Sequence, residues 1–408
     1  MAVPHCFKSG WGFVMSDETV YYFDNNATTR VAPEVVEALL PFYTEQWGNP
    51  SSTYRFGNRV GEAVARSREQ VATLLNCDER EVVFTSCGTE SNNAAWNSAL
   101  LSRPGKRHLV TTAVEHSANI KFGQTLEKRG VEVTWLPVDS LGELDVHLLH
   151  ESIREDTALV SVMYANNETG VVFPLEEIAA ICRGKGVLFH TDAVQTPGKL
   201  PLDVRALGVD YLSLSAHKLH APKGVGVLYA RKGAPWQPYV MGGGQEHGRR
   251  GGTENVAGIV AFGQAAAMAA ASLAQDVPRI RALRDRMEED ILKNIPGVTR
   301  NGAKDPRLPN TSNLSFERCE AEAILLLLDR EGICASSGSA CTTGSLAPSH
   351  VLIAMGQSPE KAIGAVRLSL SKYTTDAEVD WLTGKLPPII GKLRGASPRP
   401  AAAEVRRA

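Results

Sequence analysis

Ser213-Leu214-Ser215-Ala216-His217-Lys218-Leu219-His220-Ala221-Pro222-Lys223-Gly224 carries an apolar strand pattern into a polar loop that sets one lysine between two histidines. On either side the chain keeps alternating. Strands are expected at Glu81 to Thr85, His108 to Thr112, Val131 to Leu136, Ala158 to Tyr164, Val187 to His190, Asp210 to Ser215 and Val225 to Tyr229. Helical spacing fills most of the gaps, notably Glu90 to Leu101, Ser117 to Lys128 and Leu175 to Arg183. Short apolar strands separated by helices predict an α/β fold, with a mostly parallel sheet covered on both faces. Ligands of such sheets sit beyond the carboxyl ends of the strands. Lys218 falls at one of those ends.

The chain of 408 residues is long enough for two domains around sizeable cores. It is 43% hydrophobic and 22% charged, as an ordinary globular protein is. A net charge of -2 offers no basic field, so neither nucleic acid nor a membrane surface is an expected partner. Apolar runs such as Ala323 to Leu328 are far shorter than the roughly 20 residues that span a bilayer. Residues 1 to 18 lack the apolar core and cleavage site of a secretory signal and read as a ragged leader, with Met15 an alternative start. The expected location is cytoplasmic. Seven scattered cysteines with no CxxC pair suggest neither a disulfide framework nor a zinc site.

Toward the N-terminus, Tyr21-Tyr22-Phe23-Asp24-Asn25-Asn26-Ala27-Thr28-Thr29 enters a turn before helices beginning at Pro33 and spanning Val60 to Leu75. After Thr253 two helices are expected, one to Ala274 and another from Val277 to Ile295. Ser312 to Phe316, a Leu-rich helix over Ala321 to Arg330, a strand at Ala365 to Ser371 and a helix from Asp376 then form a smaller α+β domain. The expected division is a leader over 1–18, a large domain over 19–270 whose first residues can pack with the small one, a small domain over 271–394, and a disordered tail over 395–408.

Several stretches could carry chemistry, and each has an ordinary reading beside it. A lysine amine is nucleophilic at neutral pH only when burial or positive charge lowers its pKa, and it then forms Schiff bases with aldehydes such as pyridoxal phosphate. A lysine after a strand is otherwise a solvated charge. Ser86-Cys87-Gly88-Thr89-Glu90 places a glycine, a hydroxyl and free amides where a helix starts, a phosphate cup or a simple cap. Asp192 ends an apolar strand, where an unpaired carboxylate is costly; it either pairs with a protonated pyridine nitrogen or caps the next turn. His116 follows another strand and could stack on a ring or move a proton, although loop histidines are ordinarily just exposed. Asn166 and Asn167 offer amides at a strand end, as any turn would. Arg249 and Arg250 could help bind an anion. In Ser336-Ser337-Gly338-Ser339-Ala340-Cys341-Thr342-Thr343-Gly344 a single thiol sits among small residues, a setting that predicts an exposed, mobile loop rather than a structural cysteine.

Together these stretches resemble the class V aminotransferase group of pyridoxal-phosphate enzymes (fold type I), and within it the cysteine desulfurases of the NifS and IscS type. The resemblance runs from about Tyr21 to about Leu393, and Phe-Thr-Ser-Cys-Gly-Thr-Glu and Gly-Ser-Leu-Ala-Pro-Ser-His-Val look nearest the nitrogen-fixation branch. It implies that Lys218 holds pyridoxal phosphate covalently, Asp192 pairs with the pyridine nitrogen and His116 stacks on the ring. Gln195 and Asn167 would lie near the phenolic oxygen. Gly88, Thr89, Ser215 and His217 would hold the phosphate, with Thr253 supplied by the second subunit of a homodimer. Arg367 would clamp the substrate carboxylate beside Asn167, and Cys341 would be the catalytic cysteine.

The implied reaction turns L-cysteine into L-alanine. Lys218 removes the Cα proton, Cys341 attacks the substrate sulfur and His116 assists proton transfer. The resulting persulfide would serve an iron–sulfur scaffold protein, with nitrogenase as the client. Two positions depart from the pattern. Ala216 stands where glycine is common and could crowd the cofactor, and His247 replaces the usual arginine. The alternatives are a selenocysteine lyase, another class V aminotransferase, and a non-catalytic iron–sulfur assembly protein in which Cys341 is a transient cluster ligand shared with a partner.

Overall fold

The structure, a computed structural model, describes residues 19–337 and 347–396. The leader, the loop around Cys341 and nearly all of the tail lie outside the described residues. Twelve strands are present among those described. They are β1 (Tyr21–Tyr22), β2 (Val82–Thr85), β3 (His108–Thr112), β4 (Glu132–Leu136), β5 (Thr157–Ser161), β6 (Leu188–Asp192), β7 (Tyr211–Ser215), β8 (Gly226–Ala230), β9 (Val298–Arg300), β10 (Thr311–Phe316), β11 (Ile333–Cys334) and β12 (Ala365–Ser369).

Seven strands form one sheet in the order β2-β8-β7-β6-β5-β3-β4. Only β8 runs against the others. Except at the edge strand β4, both faces are buried, which is why these strands read as continuous apolar runs. Leu109, Leu159, Leu188, Tyr211 and Leu228 enter one core, and their neighbours Val110, Val160, Phe189, Leu212 and Val227 enter the other. A strand's side chains alternate between faces, so two cores need apolar residues at every position. All seven expected strands are there. Their ends differ, with β5 stopping at Ser161 and β6 continuing to Asp192.

A second, antiparallel sheet, β12-β10-β9, is backed by a separate core that includes Leu314, Phe316, Val366 and Leu368. Phe23 also enters this core, and β1 pairs with β11, so the N-terminal strand packs with C-terminal elements. Instead of two helices after Thr253 there is one, Val256–Asn294, with Pro278 inside it. A proline removes one helical N–H bond, and here the two halves are held by different cores. Ile259, Phe262, Ala265 and Ala269 pack in the large core, while Ile280, Leu283, Met287 and Ile291 pack in the small one. The helix thus crosses the expected boundary at 270. By length and composition it could also cross a bilayer, but half of its apolar window is buried inside the protein. The last helix, Asp376–Ala396, continues past the position where the tail was expected to begin.

Candidate active site

At the carboxyl ends of the parallel strands lies a cavity of about 400 Å3. Five of the six parallel strands deliver something to it. Thr85 of β2 leads to Gly88 and Thr89, Thr112 of β3 to His116, Ser161 of β5 to Asn167, β6 ends in Asp192 with Gln195 beyond, and β7 ends in Ser215 before His217 and Lys218. Arg367 of β12 closes it from the second sheet. Thr253 is exposed and does not line this cavity, and Cys341 lies outside the described residues.

The Lys218 Nζ donates to the carbonyls of Asn26 at 2.5 Å and Ala27 at 2.6 Å. Asn26 O also accepts from Gln195 Nε2 at 2.9 Å, so the Asp24–Thr29 turn ties both side chains in place. Asp192, 6% exposed, accepts from Asn92 Nδ2 at 2.6 Å and Val194 N at 3.0 Å. Its carboxylate therefore caps the next turn and lines the cavity at once. His116 Nδ1 accepts from Ala118 N at 3.1 Å, capping the helix Ser117–Glu127, which leaves the ring proton of the neutral tautomer on Nε2. Burial, aided by the charges of Lys218, Lys223 and Lys199, lowers the pKa of His217 to about 4. It is neutral at physiological pH, with Nδ1 3.2 Å from Thr28 Oγ1.

Arg367 is 2% exposed; Nη2 pairs with Asp24 Oδ1 at 2.7 Å and Nη1 donates to Asn167 O at 3.1 Å. Among the described residues its Nε has no partner, and neither do the buried Gln195 Oε1 and Asn92 Oδ1. Buried polar atoms are ordinarily paired, so a cavity lined by three such residues is built for a polar occupant. The helix Gly88–Leu101 points its first-turn N–H groups toward the same space, where they suit an anion. Only hydrogen fits at Gly88, since a Cβ would stand 2.7 Å from Val194 Cγ2. An anion cup, a carboxylate for a ring nitrogen and a lysine amine in one cavity fit pyridoxal phosphate.

Some expectations are corrected. Ala216 packs in the large core rather than lining the cavity, so its methyl does not crowd a ligand there. Arg249 and Arg250 are not free for an anion; Arg250 binds Glu90 at 2.9 and 3.1 Å, and Arg249 donates to Val82 O. Although burial raises the pKa of Glu90, Arg250 and Ser86 outweigh it and hold the carboxyl below its ordinary value. Sequence reasoning did not single out Cys87, Met163 and Asn26, which also line the cavity. Nor did it find Lys199, buried beside it, or the Asp24 partner of Arg367. Asp24 and Asn26 sit in a legible motif, but their partners are more than a hundred residues away.

The family profile described as Aminotransferase class-V matches residues 21–382. A protein named cysteine desulfurase 2 from Trichormus variabilis is 54% identical over 93% of this chain and 95% of its own length. Cysteine desulfurase NifS of Azotobacter vinelandii is 51% identical over 92% of this chain and 94% of its own. A solved NifS-like protein superposes with a TM-score of 0.86 at 39% identity, covering 92% of this chain and 100% of that one.

Proposed function

The chain belongs to the class V aminotransferases, a pyridoxal-phosphate-dependent family, and we infer from its likeness to cysteine desulfurases over most of its length that it is one, turning L-cysteine into L-alanine and enzyme-bound sulfur. The observation that carries the site assignment is the convergence of Lys218, Asp192 and Arg367 on one cavity. When bound, the cofactor supplies an electron sink that makes the substrate's Cα proton acidic and its C–S bond labile.

The protein's part is to hold, orient and move protons. Lys218 would carry the cofactor, and its Nζ would take the substrate's Cα proton. Asp192, pinned by Asn92 and Val194, would supply the carboxylate that pairs with the ring nitrogen. The amides of Gly88 and Thr89, with Ser215 and neutral His217, would hold the phosphate, with Thr253 contributed by a second subunit. Gln195 and Asn167, which line the cavity, would bind the phenolic oxygen. His116 would pack against the ring, with a proton to give from Nε2. Arg367 would offer its Nε–H, which has no partner among the described residues, to the substrate carboxylate, while Asp24 fixes the guanidinium.

Cys341 takes the sulfur. Its thiolate bonds the substrate Sγ as the Cβ–Sγ bond breaks, and the electron pair left on Cβ is protonated to give alanine. Support comes from the flanks of 338–346. Ser336 exchanges backbone hydrogen bonds with Arg367 itself, and on the other side Ser349 binds Glu168 and His350 binds Glu115 O at 3.0 Å, one residue from His116. The persulfide then passes to an iron–sulfur scaffold protein in the cytoplasm, with nitrogenase maturation as the end use.

Borohydride reduction followed by peptide mapping tests the site. The expected label is on Lys218, and Cys341→Ser keeps the bound cofactor while losing sulfur release. A label elsewhere, or undiminished turnover of cysteine by Cys341→Ser, contradicts the assignment.

A further inference from the structure

The active-site cavity has a second amine beside it. Lys199 is 8% exposed, and its Nζ donates to the carbonyl of Gln195 at 2.9 Å. It lines a small adjoining cavity of about 40 Å3 together with Lys218. The two lysines are linked through the protein, because Gln195 Nε2 and Lys218 Nζ both donate to Asn26 O. No carboxylate salt bridge holds Lys199 among the described residues. A buried lysine without a carboxylate partner is costly and calls for a reason.

We propose that Lys199 is a positioning residue for the reaction at Lys218: it holds the turn bearing Asp192 and Gln195, and its buried positive charge favours the neutral, basic form of the Lys218 amine. The reasoning is electrostatic. Two ammonium groups in one poorly solvated space repel, and the interaction is mutual. With Lys218 bound to the cofactor, Lys199 can keep its proton. When substrate displaces Lys218, the two amines favour sharing one charge, and the one released next to the substrate is left able to accept a proton.

The surrounding charges fit this reading. Burial, then Lys218 and Arg367, bring the pKa of Lys199 down to about 7. His217 and His220 also feel Lys199, and both are held neutral with values near 4, mainly by burial. Lys372 adds positive charge to the small cavity, and Asp276, from the helix Val256–Asn294, is the acidic side chain lining it. Cationic side chains therefore outnumber acidic ones around the two amines.

The proposal rests on Lys218 being the cofactor lysine, so the test begins with wild-type holoenzyme and borohydride mapping. The visible absorption of the holoenzyme is then titrated with pH, reporting loss of the proton from the nitrogen that links Lys218 to the cofactor. Lys199→Gln keeps a donor for Gln195 O without the charge, Lys199→Met removes both, and Lys199→Arg keeps the charge. The expected result is an upward shift of the midpoint by about one pH unit in the two neutral variants, with Lys199→Arg close to wild type. An unchanged midpoint in Lys199→Gln, or an equal shift in Lys199→Arg, overturns the proposal while the site assignment stands. A label away from Lys218 overturns both. Should Lys199→Met fail to fold, Lys199→Gln decides.

Discussion

At Asp192, Arg367 and Glu115, single side chains have separable duties. Asp192→Asn retains an acceptor for Val194 N but loses the charge. It is expected to retain cofactor while kcat falls about a hundredfold, or ~2.7 kcal/mol; near-normal kcat would remove Asp192 from its role. For Arg367→Lys the planar fork is lost but not the charge beside Asp24. A charged hydrogen bond contributes ~1.5–3 kcal/mol, so kcat/KM for cysteine should fall roughly ten- to a hundredfold, chiefly through KM. Glu115, the residue before His116, is fully buried and accepts from Thr112, Asn119 and Met163. Burial dominates these bonds and raises its pKa to about 7. Its folded value exceeds the unfolded one, so wild type loses stability as pH rises from about 4.5 through 7. Glu115→Gln should therefore gain stability relative to wild type across that window. Thermal midpoints at its two ends check this, and a gap independent of pH would contradict it.

Elements place these side chains, and the start of the helix Gly88–Leu101 is closely packed. A methyl at Gly88 would strike the branched side chain of Val194, two residues from Asp192. Overpacking costs ~1–3 kcal/mol, so Gly88→Ala should weaken cofactor retention about tenfold or more in an equilibrium release assay, and unchanged retention would count against the phosphate cup. The large sheet was legible because each strand fills two cores and so reads as a four- to seven-residue apolar run. β1, β9 and β11 were not, since two or three residues carry no period and their pairing is decided by distant partners. The same limit applies within the site. His116, Asp192 and Lys218 stand at strand ends that the pattern locates, whereas Lys199 looks like an ordinary turn lysine until Gln195 O and Lys218 are placed around it. The helix Val256–Asn294 hid its continuity because Pro278 reads as a break, and only the two cores show why it is bridged.

For the whole molecule, the proposed homodimer accounts for Thr253 lying outside its own subunit's cavity. Exposed Tyr43, Trp47 and Tyr54 offer apolar surface near the N-terminal helices. Sedimentation of the holoenzyme should give twice the 44.0 kDa chain mass, and Thr253→Ala should weaken phosphate binding without changing that mass. A monomer with full cofactor content would contradict both statements. The sulfur route is the central claim, and the described residues include a competing thiol, Cys87, on the cavity wall. The most direct test is a single turnover of L-cysteine on purified holoenzyme, followed by mass analysis of every cysteine peptide. One additional sulfur atom on the Cys341 peptide, matched by an equal yield of alanine, is the predicted result. Sulfur on Cys87 or Cys334 instead, or alanine with no enzyme-bound sulfur, would contradict the account.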